Sequence, residues 1–238
     1  MKLAMWSGPR NLSTAMMYSF ANREDFSAVD EPFYAAYLAN TGLDHPMREH
    51  VMQAQDQSYS SVISSLIQPN SVNTHQYQKH QTQHMIDGVD RDWMRGVTNV
   101  FLIRHPARVL ASYTAKRANP TLEDIGFSQQ KALFEKVCAF GHTPTVIDAY
   151  DIRRNPEAQL RALCDRIGLD FYPSMLNWPK GPKPFDGVWA SHWYGSVHQS
   201  TGFAGAEGDL PTLPKEQRPI LDEALEIYEQ LSGYKLAI

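Results

Sequence analysis

Trp6-Ser7-Gly8-Pro9-Arg10-Asn11-Leu12-Ser13-Thr14-Ala15-Met16 leaves a short apolar run, turns through Gly-Pro and enters a stretch whose apolar residues are Leu12, Ala15, Met16 and Phe20. A strand, a tight turn and a helix start in that order form an anion-binding arrangement. Free backbone N–H groups at the helix start point outward, and the helix dipole favours negative charge. Arg10 adds a forked cation, and Ser13 and Thr14 add hydroxyl donors. Gly8, Pro9, Arg10, Asn11, Leu12, Ser13 and Thr14 are therefore the candidate phosphate loop. The plainer alternative is a strand-to-helix turn with an exposed arginine and a serine cap. No Gly-Lys-Ser/Thr triplet closes the loop, which counts against an ordinary ATPase or kinase.

The same alternation continues along the chain. Short strand-like runs at 3–6, 27–29, 75–78, 100–103 and 145–147 predict five strands. Helical stretches follow at 13–22, 32–38, 106–117, 129–140, 156–167 and 216–231, several with proline in the first turn. Strand then helix, repeated, predicts an α/β fold with three α/β/α layers around a parallel sheet of about five strands. In such open sheets ligands sit beyond the carboxyl ends of the strands. The phosphate loop, Asp30-Glu31, Lys79-His80 and Arg104-His105 all fall there. Residues 177–213 are rich in Pro, Gly, Trp and His without periodicity, which predicts a long irregular segment that could serve as a lid. In that segment Trp178, Trp189, His192, Trp193 and Tyr194 suit either adenine stacking and acceptor walls or core packing.

At 238 residues the chain is long enough for one domain with a substantial core, and one domain over 1–238 is expected. A net charge of −4 gives no basic field for a nucleic acid. Cys138 and Cys164 are too few for a disulfide framework, and the first residues form neither a signal peptide nor a membrane span. The expectation is a cytoplasmic protein acting on a small molecule, without nucleic-acid or membrane partners. The sequence leaves its oligomeric state open.

Val100-Phe101-Leu102-Ile103-Arg104-His105-Pro106-Ala107-Arg108-Val109-Leu110-Ala111-Ser112-Tyr113 is a strand-like run, a terminal arginine, a proline-started helix and a serine about two turns in. This stretch resembles the second motif of the sulfotransferase family: a strand followed by Arg, a variable residue, Pro, a further Arg, several apolar residues and Ser-Tyr. The first segment resembles that family's 5′-phosphosulfate loop. Together they imply a P-loop NTPase-like fold and 3′-phosphoadenosine 5′-phosphosulfate as co-substrate. Arg10, Ser13 and Thr14 would hold the 5′-phosphosulfate, and Arg104 and Ser112 the 3′-phosphate. The likeness is nearest to bacterial members with a Gly-Pro-Arg loop. Leu12 stands where many members carry Gly, and Arg10 where cytosolic members carry Lys. The late Gly-x-x-Gly-x-x-Lys element is absent, with Ser200-Thr201-Gly202 as a possible stand-in.

Sulfuryl transfer needs an acceptor hydroxyl or amine in line with the sulfur, a base at its proton and positive charge at the departing oxygen. Glu31, at the end of the second strand run, matches the junction where similar sulfotransferases place a glutamate base. Its plainer role is a helix-start carboxylate. Gln78-Lys79-His80 resembles the Lys-Thr-His stretch of cytosolic members, with spacing shorter by one, which makes His80, or else His84, the competing base. Lys79 would stabilise the bridging oxygen. His80 and His84, four apart, lack a completing ligand set, so no metal is expected. Two other readings stay open: a nucleotide phosphotransferase on a similar scaffold, and a nucleotide-binding protein without turnover.

Overall fold

The computed structural model describes residues 1–69 and 75–238. Its centre is the strand that precedes the phosphate loop, β1 (Lys2–Ser7), in which Leu3, Ala4, Met5 and Trp6 are fully buried. An apolar run buried on both faces belongs in the middle of a parallel sheet. The order is β2-β3-β1-β4-β5, where β2 is Phe26–Asp30, β3 His75–Gln81, β4 Thr98–Ile103 and β5 Thr145–Asp148, and every pairing is parallel. The five expected strands are all present. β3 runs three residues past the expected 75–78, through Lys79, His80 and Gln81, and each of these buried polar side chains has a partner.

Helices cover both faces, as side chains alternating along each strand require. Leu3, Met5, Tyr77, Val100, Leu102 and Ile147 face one core, closed by α1 (Ser13–Ala21), α2 (Tyr34–Thr41) and α8 (Pro156–Ile167). Ala4, Trp6, Phe101, Ile103 and Val146 face the other, closed by α4 (Tyr59–Ile67), α6 (Phe127–Ala139) and α11 (Arg218–Ser232). Three further helices are α3 (Arg48–Ala54), α5 (Pro106–Thr114) and α7 (Ala149–Arg154). Of these nine, α3, α4 and α7 were not expected. Two single-turn helices, α9 (Ala190–Trp193) and α10 (Gly195–His198), lie in the long irregular stretch 177–213.

Proline and polar caps set several helix starts. Pro106 opens α5 while His105 Nδ1 accepts from Ala107 N at 3.2 Å, and Pro156 opens α8 while Asn155 Oδ1 accepts from Ala158 N.

Candidate active site

Because β1 and β4 are neighbours, the loops that leave their carboxyl ends lie side by side. Arg104, one residue beyond β4, donates from Nη1 to the Arg10 carbonyl at 2.6 Å. Arg10 in turn donates from Nε to Ser112 Oγ on α5 at 2.8 Å. The loop is shaped by unusual backbone: Arg10 and Leu12 have φ of 64° and 70°, the left-handed region that favours glycine. Gly8 passes so close to the Ile125 carbonyl that a Cβ there would sit 2.3 Å from the oxygen. Asn11 is buried and donates to the Leu102 carbonyl at 3.4 Å, tying the loop to β4. Burial, followed by the nearby Arg104, lowers the pKa of Arg10.

On the other side of β1, β3 and β2 bring a second group together. Asp30 and Lys79 are register partners, and the Lys79 ammonium donates to Asp30 Oδ1 at 2.9 Å, to Glu31 Oε1 and to Tyr194 Oη at 2.7 Å. An ammonium has three donors. All three are taken, so Lys79 holds the carboxylates rather than reaching toward a departing oxygen. Burial works to lower the Lys79 pKa, and the two carboxylates outweigh it to leave it raised. Asp30 is pushed up to about 6 by burial, with Lys79 opposing. It also accepts from Gly187 N at 3.0 Å. Glu31 has φ of 42°, a strained backbone of the kind found at functional sites. Lys79, Gln81 at 3.1 Å and Tyr194 at 3.4 Å all meet its Oε1.

One cavity joins the two groups. Pro9 to Thr14, Arg104 and Arg153 line it together with Glu31, Lys79 and Gln81. Its aromatic wall includes Tyr34, Tyr113, Trp193 and Tyr194, with His45 and His84 among them. His84 stacks between Tyr34 and Tyr37, at 4.7 and 4.8 Å between ring centroids, and its Nδ1 is buried without a partner. Burial drives its pKa well below the ordinary histidine range.

Several expected residues lie elsewhere. His80 is outside the cavity: strand alternation turns Lys79 and Gln81 toward it and His80 to the opposite face, stacked 4.2 Å from Trp6. Burial pulls His80 down to about 3, so its imidazole is neutral in the core. Ser200, Thr201 and Gly202 are also outside the cavity lining. Ser200 Oγ accepts from Trp178 Nε1, the Thr201 carbonyl accepts from Trp178 N, and Gly202 bridges to Asn177. They brace the late segment rather than facing a nucleotide. Trp178 and Trp189 are buried in the core. Among the described residues no group of three His, Cys, Asp or Glu side chains is placed to hold a metal ion.

The model of the sulfotransferase domain matches residues 1–234. The chain belongs to the sulfotransferase family. Among curated relatives of this sulfotransferase-family chain, branched-chain-amino-acid aminotransferase-like protein 1 of Arabidopsis thaliana is 38% identical over 229 residues. Protein 2 of the same name and plant is 35% identical over 227. These alignments cover 96% and 95% of the chain but 41% and 40% of the relatives, so the chain spans about two fifths of their length. Two solved sulfotransferases share its fold. The sulfotransferase domain from the curacin biosynthetic pathway has a TM-score of 0.53 and 16% identity, over 99% of this chain and 98% of that one. The sulfotransferase from Alicyclobacillus acidocaldarius has a TM-score of 0.51 and 13% identity, over 76% and 86%.

Sequence reading missed several of the ties that hold the site of this family member together. Asp30 and Tyr194 fix Glu31 through Lys79, and Arg108, Arg153 and Glu207 extend the Arg104 site. An acidic pair at the end of β2 beside a lysine near the end of β3 was a usable signal for the first group. Nothing local in the sequence marks Glu207, whose partners lie in α5, α7 and the loop after β4.

Proposed function

We propose that the chain moves a sulfuryl group from 3′-phosphoadenosine 5′-phosphosulfate to a hydroxyl or amine of a small acceptor. The supporting observation is that Arg10 and Arg104 line one cavity, that Arg104 donates to the Arg10 carbonyl, and that Arg10 donates to Ser112 on the helix following Arg104. A single adenosine phosphorylated on opposite sides of its ribose can therefore meet both, as the P-loop NTPase-like arrangement implies. Arg10, Ser13, Thr14 and the loop N–H groups receive the 5′-phosphosulfate, and Arg104 and Ser112 the 3′-phosphate. Glu31 is the base. Hydrogen bonds from Lys79 and Gln81 converge on Oε1, which leaves Oε2 for the acceptor. The acceptor atom attacks sulfur, its proton passes to Glu31, and the sulfur–oxygen bond to the 5′-phosphate breaks beside Arg10, which stabilises the charge left there.

Tyr34, Tyr113, His45 and His84 form the acceptor wall, and 177–213, through Trp193 and Tyr194, forms its cover within a single domain. Asp30 is committed to Lys79, Tyr194 and Gly187, so it is not free to hold magnesium as a phosphotransferase would need. Cys138 and Cys164 are free thiols, and among the described residues no helix is long and apolar enough to cross a membrane. A cytoplasmic setting is consistent with both. The test is differential stabilisation: 3′-phosphoadenosine 5′-phosphate should raise the melting temperature well above equimolar ADP. Equal shifts would end this reading.

A further inference from the structure

The anion site beyond β4 contains more than Arg104. Arg108 on α5 and Arg153 on α7 converge with it on the carboxylate of Glu207. Glu207 Oε1 accepts from Arg104 Nη2 and, at 2.7 Å, from Arg153 Nη1, while Oε2 lies 3.1 Å from Arg108 Nε. Backbone carbonyls of the same loop follow: Gly205 O accepts from Arg153 Nε at 2.9 Å, and Gly208 O and Asp209 O accept from Arg108. From Ala204 to Leu210 every residue is exposed except Glu207, whose side chain is 2% exposed. An otherwise solvated loop thus inserts one carboxylate among three guanidiniums.

The fit is incomplete. Arg104 Nε is buried without a hydrogen-bond partner, and Oε2 of Glu207 meets Arg108 without hydrogen-bond alignment. One carboxylate brings a single charge and two coplanar oxygens, whereas a phosphate monoester brings nearly two charges and three oxygens. Three forked cations suit the second better. Arg104 and Arg153 also line the cavity that holds the phosphate loop.

We infer that Glu207 occupies the place of the nucleotide's 3′-phosphate, so that the donor binds by exchanging this phosphate for the internal carboxylate and releasing the loop around it. The inference rests on the proposed sulfotransferase reading and adds Arg108 and Arg153 to the 3′-phosphate site. A nucleotide without a 3′-phosphate has no group to exchange and leaves Glu207 in place. Part of the binding free energy goes into opening the loop, which lowers the apparent affinity.

Hydrogen exchange on the full chain tests this with 3′-phosphoadenosine 5′-phosphate and ADP, each at saturation. Amides of 203–209 should lose protection with the first and not with the second. In calorimetry, Glu207→Gln should bind 3′-phosphoadenosine 5′-phosphate about tenfold more tightly, with ADP unchanged. Increased protection of 203–209 with the bisphosphate, unchanged protection, or no gain in affinity in the variant would overturn the exchange. If Glu207→Gln fails to fold, the wild-type exchange pattern decides alone. If wild-type chain binds both nucleotides equally, the sulfotransferase reading falls as well; if it prefers the bisphosphate and the loop stays closed, only this inference falls.

Discussion

Ser112 Oγ accepts a hydrogen bond from Arg10 Nε at 2.8 Å, across 102 residues of chain. The helix after β4 therefore aims the cation of the loop after β1, and the two halves of the proposed nucleotide site are oriented together. Ser112→Ala removes the aiming contact and the hydroxyl proposed for the 3′-phosphate, and keeps the charge. We expect kcat/KM for the donor to fall about tenfold with a melting temperature close to wild type, since a hydrogen bond to a charged group contributes about 1.5–3 kcal/mol. Unaltered kinetics would show that Arg10 is positioned by the loop alone.

Glu31→Gln keeps the size and Oε1 contacts of the carboxylate but removes its basicity. Turnover should fall by about 10²–10⁴ while calorimetric affinity for 3′-phosphoadenosine 5′-phosphate is retained. Undiminished turnover would shift the proton to another cavity group, with His84 next in place.

Lys79→Met leaves Asp30 and Glu31 buried beside each other without their cation. Breaking a buried ion pair from one side costs about 3–5 kcal/mol, and adding Asp30→Asn should restore part of it. Urea unfolding measures both. A single variant as stable as wild type would mean that the carboxylates are solvated.

Acid should loosen the fold through its histidines. Burial pulls His80 down to about 3 and His45 to about 4, and holds His84 well below its ordinary range. Neutral when folded and protonated when unfolded, they contribute stability that is full above about pH 6.5 and declines as pH falls toward the folded values. Each contributes up to about 1.4 kcal/mol per pH unit in that window. Asp30, raised to about 6, acts in the opposite sense below that pH. His80→Phe isolates one histidine while keeping the ring against Trp6. It should lose less stability than wild type between about pH 7 and about pH 5, and equal losses would show that His80 titrates normally.

Gly8→Ala places a methyl against the Ile125 carbonyl. Overpacking of this kind costs about 1–3 kcal/mol, and because the obstruction is backbone the phosphate loop must shift. We expect a lower melting temperature and weaker nucleotide binding together, and loss of neither would contradict the close approach.

The sheet and both arginine sites were legible because each depends on a local signal: an apolar run, a turn and a helix start. The contents of β3 were harder to read. Lys79 and His80 are adjacent in sequence, and only the pleat of the strand, together with the position of Trp6 across from it, decides which one meets the cavity. Helix α4 carried a readable signal in Val62, Ile63 and Leu66 behind the Ser58 cap, diluted by its serines. Glu207 was illegible for a different reason. It is one acid in a glycine-rich loop, and its meaning comes from arginines 54, 99 and 103 residues away.

Tyr194 Oη donates to Asp30 and also accepts from Lys79 and Trp189, so the roof of the cavity is bolted to the floor beneath Glu31, the proposed base. Exchanging 177–213 between family members to change acceptor choice would then also disturb Glu31. A chimera that carries the new cover must bring a matching tyrosine, or inherit the strand end to which its own cover was fitted.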